Sequence, residues 1–253
     1  MSAAVKQVLE CLDSIAPLSL AEEWDNVGLL VGNPENDVER ILCALDLTID
    51  VIEEAKRLNA GLIVTHHPVM FRGRKNLRED DVEGRMLCEL IRNNIALIAM
   101  HTNFDNARPG VNDALAERLG LKDVEALESG MRIGSVDEVK FSAFAHEAER
   151  LLGGPVRRYG NASAPVKRVA VLGGAGEDYA SIAMENGADV YITGEMAYHK
   201  ALDCAAMGMC ILEAGHAATE LPGVNLLCRG LQNELDAVQY KILVLKSESE
   251  LFL

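Results

Sequence analysis

The stretch RILCALDLTIDVIEEAKRLNAGLIVTHHP, residues 40–68, decides how the chain folds. Arg40 to Asp46 is a short apolar run. Ile49 to Leu58 repeats apolar residues at helical spacing behind Thr48, which can cap it, and Gly61 to Thr65 is a second apolar run. Strand, helix and strand in such close succession imply a parallel pair joined by a right-handed crossover. Working outward, Val5 to Ile15 reads as an amphipathic helix. Val82 to Arg92 is a helix leading into a strand at Ile95 to Met100, and Asn112 to Leu119 is a helix closed by Gly120. The fold class is therefore α/β, a doubly wound and mostly parallel sheet.

From Leu121 to Pro165 the pattern loosens into acidic residues and glycines around a weaker strand, Val139 to Phe144. A second series follows: strand Arg168 to Leu172, helix Asp178 to Asn186, strand Asp189 to Thr193, helix Ala197 to Met207 and strand Cys210 to Glu213. A helical region and a last strand, Val238 to Leu245, complete the described pattern. Two such series point to two related α/β lobes.

Composition narrows the function classes. The 253 residues are 49% hydrophobic and 25% charged, which excludes disordered and fibrous classes. The formal net charge of −15 repels phosphate backbones and anionic lipid, disfavouring nucleic acid as a main partner, while it attracts cations. No apolar run approaches the roughly 18 residues of a membrane helix, and Met1 to Ser19 lacks the pattern of a signal peptide, so a cytoplasmic location without membrane contact is expected. The six cysteines form no C-x-x-C pair and read as reduced thiols inside apolar patterns.

The polar residues with metal-binding chemistry gather at strand ends. Asp46 ends the first strand, His66 and His67 the second and His101 the third, with Asp105 in the loop that follows. His216 and Glu220 follow the strand ending at Glu213. The carboxyl edge is where open α/β sheets bind ligands. Just past the end of a strand the chain can turn both His66 and His67 toward one cavity, and Pro68 keeps His67 extended. If His216 begins a helix, it shares a face with Glu220 at i+4. Each residue has an ordinary alternative, such as a hydrogen-bonded loop histidine or a turn-forming aspartate, but their joint placement on one edge favours metal. Nitrogen and oxygen donors suit zinc, iron, manganese or cobalt. With Asp105 and Glu220 as bridging carboxylates, the five side chains His66, His67, Asp105, His216 and Glu220 would hold two divalent ions and leave positions for water.

Taken together, the motifs resemble the Nif-three-like family of dinuclear metal proteins, the GTP cyclohydrolase I type 2 homologues. They are Glu22-Glu23-Trp24-Asp25-Asn26-Val27-Gly28-Leu29, Thr65-His66-His67-Pro68 with Phe71, His101-Thr102-Asn103-Phe104-Asp105, Gly173-Gly174-Ala175-Gly176, Thr193-Gly194-Glu195 with Tyr198-His199, and Gly215-His216 with Glu220. The resemblance implies two interlinked α/β lobes, a discontinuous metal-binding lobe over 1–125 plus 214–253 and a second lobe over 126–213. It also implies a homo-hexameric ring of three dimers and the same five residues as ligands, with His101 beside the metals. Ala217 departs from the family pattern, where an aromatic is common.

The implied activity is metal-dependent hydrolysis of a small-molecule substrate. For GTP, activated water would attack C8 of guanine, open the imidazole ring and release formate, with His101, Glu195 or His199 moving protons. A hydrolase of another substrate, and a non-enzymatic metal-binding adaptor or metal-handling protein, are the alternatives. Two further features bear on the choice. The glycine loop Gly173 to Gly176 can offer backbone N–H groups to an anion or serve close packing. The basic run Arg72, Arg74, Lys75 and Arg78 can receive a triphosphate or pair with Glu79, Asp80 and Asp81. Trp24 is expected to anchor packing.

Overall fold

The apolar run at 41–44 becomes strand because both of its faces are covered: Ile41, Leu42, Cys43 and Ala44 are all buried. The computed structural model describes residues 2–249, which divide into two compact units, 2–108 with 224–249, and 109–223. The sequence places the boundaries later in the first case, after 125, and earlier in the second, before 214. The helix Val111–Arg118 packs on strands Pro165–Ala175 and Arg132–Lys140, which carries the first boundary back to Pro109. The second falls after Pro222 and Gly223, inside the helix His216–Ala237. Residues 1 and 250–253 of the expected first lobe lie outside the described residues.

In the first unit a five-stranded sheet runs in the order Leu243–Lys246, Arg40–Ala44, Leu62–Thr65, Ala96–Ala99, Gly28–Val31. The first four strands are mutually parallel, and Gly28–Val31 closes one edge antiparallel to Ala96–Ala99. Leu42, Ala44, Ile63 and Leu97 pack against Val51, Ile52, Ala55, Met86 and Leu90 of the helices Ile49–Leu58 and Val82–Arg92. Their strand neighbours Ile41, Cys43, Leu62, Val64 and Ile98 point to the opposite face and are equally buried. Thr48 caps its helix as expected, its Oγ accepting from the Val51 N–H at 3.1 Å.

The second unit holds a six-stranded sheet in the order Lys122–Ala126, Arg132–Lys140, Pro165–Ala175, Val190–Glu195, Cys210–Glu213, Arg157–Tyr159. Its three central strands are the expected parallel set; the flanking pairings are antiparallel. Val169, Val171, Val190, Ile192 and Leu212 face the helices Val111–Arg118 and Phe141–Leu152. Ala170, Leu172, Tyr191 and Ile211 face Ala180–Glu185 and Tyr198–Ala206. The expected strand Val139 to Phe144 is corrected here: the strand ends at Lys140, and Phe141 starts a helix that buries Phe141, Phe144, Ala145 and Ala148 at helical spacing. The last strand is likewise shorter than expected, Leu243–Lys246. Among the described residues no helix is long and apolar enough to cross a membrane.

Among the described residues the largest fully buried side chain is Arg132, 1% exposed, whose guanidinium makes two bonds to Asp113, Nε to Oδ1 at 2.9 Å and Nη2 to Oδ2 at 2.7 Å. Asp113 also accepts from the Gly110 N–H at 2.9 Å, so one carboxylate ties the start of its helix to the adjoining strand. Asp113→Ala removes both bonds that this carboxylate makes to the buried guanidinium. We expect a loss of about 3–5 kcal/mol of stability, measured by urea unfolding followed by circular dichroism; a loss below about 1 kcal/mol contradicts the role.

Candidate metal centre

Each central strand of the first unit ends in a residue aimed at one place. Leu62–Thr65 delivers His66 and His67, and Ala96–Ala99 delivers His101, so that one ring nitrogen from each of the three imidazoles lies within 4.8 Å of the others. The turn carrying the first two is held by backbone bonds from the His66 N–H to Ala44 and from the His67 N–H to Leu45, and by the Thr65 hydroxyl donating to the His67 carbonyl at 2.8 Å. Asp105 lies in a one-turn helix, Thr102–Asn106, and not in an open loop as the sequence implied.

All three imidazoles are oriented from behind through Nδ1. His66 Nδ1 donates to the Met100 carbonyl at 2.8 Å, His67 Nδ1 to Asp46 at 2.8 Å and His101 Nδ1 to Asp25 at 2.9 Å. In the neutral ring an N–H on Nδ1 puts the lone pair on Nε2. For His66 that lone pair faces a carboxylate oxygen, Asp105 Oδ1, at 3.7 Å. Burial pushes the Asp25 carboxyl up, but hydrogen bonds from His101 and from the Thr102 hydroxyl and N–H outweigh it and hold the group well below the usual carboxylate range.

The second unit repeats this chemistry with other elements. His216 begins the helix His216–Ala237, and Glu220 lies one turn on, 5% exposed. His216 Nδ1 donates to Glu195 Oε1 at 3.1 Å, and its Nε2 lies 3.3 Å from Glu220 Oε1. The glycine loop makes this approach possible. A Cβ on Gly174, whose φ is +66°, would sit 2.4 Å from Glu220 Oε1, and one on Gly194 would sit 2.8 Å from His216 Cα. The loop's N–H groups are used internally: Gly173 donates to Asn112, Gly174 to Thr219 and Gly176 to Thr193. These contacts give the loop a close-packing role.

These residues fit a transition-metal ion. In each unit an imidazole Nε2 faces a carboxylate oxygen, a pairing that calls for a proton or a metal ion between the two atoms. Two ligands about 2.1 Å from a tetrahedral ion stand about 3.4 Å apart, close to the 3.3 Å between His216 and Glu220 and the 3.7 Å between His66 and Asp105. Acceptors behind the imidazoles are the usual support of such ligands.

Residues 3–250 match the model of the Duf34/NIF3 (NGG1p interacting factor 3) family. The chain belongs to this family. It is 37% identical over 243 residues to a GTP cyclohydrolase 1 type 2 homolog of Clostridium perfringens, covering 92% of this chain and 93% of that one. A protein of the same description from Clostridium acetobutylicum is 33% identical over 262 residues, covering 99% and 98%. Among solved structures, a Bacillus cereus protein related to NIF3 superposes with a TM-score of 0.94 at 25% identity, covering 100% and 99% of the two chains. Reduced HcgD from Methanocaldococcus jannaschii gives 0.84 at 26% identity, covering 98% and 99%.

Within this NIF3 chain the other expected residues fall out differently. Glu195 stands behind His216, orienting it, whereas His199 is exposed on its helix with its ring 5.3 Å from Tyr198. His101 joins the cluster of His66 and His67. Arg74 pairs with Asp81 and Glu83, and Arg78 with Asp80, the internal pairing that is one of the two readings of the basic run. The expectation that Trp24 anchors packing is corrected: the indole is 62% exposed, because its neighbour Asp25 occupies the buried position. Asp25, which the sequence shows only as part of a family motif, stands behind His101; 76 residues separate the two, and no local spacing marks the pairing.

Gly174→Ala should push the Glu220 carboxylate out of its position against His216. We expect the affinity for zinc to fall about 10- to 100-fold, read by competition with a chromophoric chelator, with the circular dichroism spectrum retained. Unchanged affinity contradicts the close-approach role.

Proposed function

We propose that the chain is a metal-dependent hydrolase that holds two divalent transition-metal ions per chain. His66, His67 and Asp105 supply ligands from the first unit, and His216 and Glu220 from the second. The observation that carries this reading is the lone pair of an Nδ1-tethered imidazole facing a carboxylate oxygen in each unit. Such ions, when bound, are Lewis acids that bring the ionisation of water into the neutral range. The chain's own part is to orient and to move protons. Asp25 holds the His101 ring so that Nε2 accepts a proton, while Glu195 acts through His216 by fixing its tautomer.

GTP is the substrate we propose, supported by the description of the relatives. Water adding at C8 opens the guanine imidazole ring, and hydrolysis of the resulting formamide releases formate. The hexameric ring of three dimers belongs to the same proposal, with light scattering as its check.

A second reading, a metal-binding adaptor or metal-handling protein, is favoured by one specific observation. Arg74 and Arg78 of the basic run are paired with carboxylates, and the N–H groups of Gly173, Gly174 and Gly176 are bonded internally, so these groups are already engaged without a triphosphate.

Elemental analysis and formate release separate these readings. We expect two ions per chain in metal-replete protein, loss of metal in Asp105→Ala and Glu220→Ala, and formate from GTP in the wild type at least 100-fold above both variants. Two ions without formate moves the assignment to metal handling. No more than one ion, with none gained on titration, rejects the dinuclear reading.

A further inference from the structure

Two large aromatic side chains are exposed beside His101. Trp24 is 62% exposed and Phe71 49%. Each ring stands nearly perpendicular to the His101 imidazole, Trp24 at 6.0 Å and 76° and Phe71 at 5.6 Å and 77°. Single exposed apolar residues are ordinary on protein surfaces. Two that converge on one imidazole, itself within a cluster of three, are a different arrangement.

Both are held in place by polar pins that leave the rings outward. The Asp25 side chain is fully buried on His101 and Thr102, the Asp25 N–H donates to the Glu22 carbonyl at 3.0 Å, and the Glu22 N–H donates to the Thr102 hydroxyl at 3.0 Å. Asn26 Nδ2 donates to the Met70 carbonyl at 2.6 Å, which ties the segment of Trp24 to the residue preceding Phe71. The chain spends these bonds on presenting an indole to solvent, where it gains nothing from the hydrophobic effect until something covers it.

We infer that Trp24 and Phe71 form a stacking site for the planar heteroaromatic ring of a purine-type ligand, placed beside the imidazoles of His66, His67 and His101. Such a ring lays its face on the aromatic side chains. Its edge nitrogens meanwhile bring lone pairs and N–H groups to the imidazoles and their cations, which a hydrocarbon side chain of a partner protein cannot do. This rests on the proposed hydrolase reading for the choice of guanine and deepens it. It assigns recognition of the base to this pair, in place of a phosphate grip by Arg74 and Arg78.

Trp24 is the only tryptophan in the chain, so its emission reports on this site alone. We would titrate the zinc-loaded full chain with GTP, guanosine and inorganic tripolyphosphate. GTP and guanosine should quench the emission saturably and tripolyphosphate should not. Phe71→Leu should raise the Kd for guanosine about tenfold with zinc content unchanged. By calorimetry, Trp24→Ala should do the same while Trp24→Phe keeps most of the affinity. Formate measured in the same samples separates this inference from the hydrolase reading. Quenching without formate keeps the stacking site and rejects GTP as the substrate hydrolysed, and formate without quenching does the reverse. Equal quenching by tripolyphosphate overturns the inference. So does emission that ignores guanosine but shifts on protein dilution, which would assign the aromatics to an interface between copies.

Discussion

Every imidazole of the candidate centre has its Nδ1 proton committed to a fixed acceptor, and the chemistry of both units follows from that constraint. A carbonyl serves His66, and carboxylates serve His67, His101 and His216. A free histidine exchanges tautomers and rotates; one tethered through Nδ1 presents only Nε2, in one direction. The acceptors come from the backbone, from strand ends and, for His101, from the turn segment that carries Asp25, so the fold itself sets where the rings point.

The two units reach this result by different means. In the first, His66, His67 and His101 follow two neighbouring parallel strands, and Asp46 follows a third that pairs with one of them, so strand spacing alone gathers the rings. In the second, histidine and glutamate share one helical face, and the sheet contributes an absence of side chains. Gly174 and Gly194 clear the volume into which His216 and Glu220 fit. Substituting either glycine disturbs the site without touching a ligand, because the space itself is the functional element.

Legibility from sequence followed how local each cause is. The parallel strands carry continuous apolar runs because both faces are buried, so Arg40–Ala44, Leu62–Thr65, Ala96–Ala99, Val190–Glu195 and Cys210–Glu213 could be read directly. Gly28–Val31, Lys122–Ala126 and Arg157–Tyr159 lie at sheet edges, half-buried or exposed, and their composition carries little signal. Phe141 to Phe144 was ambiguous because a short apolar run fits strand or helix, and the deciding residues, Ala145 and Ala148, lie beyond it. Strand-end histidines and carboxylates were legible as a set through their common edge. Asp25 was not, since its role comes entirely from a partner far along the chain, and the exposure of Trp24 is a consequence of that same contact.

Asp25 illustrates why a strongly acidic chain can still bury charge. Desolvation alone would protonate it, yet the Thr102 hydroxyl and N–H and the His101 ring donate three hydrogen bonds to its two oxygens, so the ionised form is retained inside the protein. An ionised carboxylate on Nδ1 raises the electron density at Nε2, which strengthens the ring equally as a ligand and as a proton acceptor. The structure groups His101 with His66 and His67, and the exposed rings of Trp24 and Phe71 flank His101. A basic nitrogen at the border between a cation-binding cluster and an open aromatic surface is placed where a ligand's own ring atoms must arrive. On the proposed hydrolase reading that position gives His101 a part in handling the ligand, while His66, the most deeply enclosed of the three rings, is left to the cation.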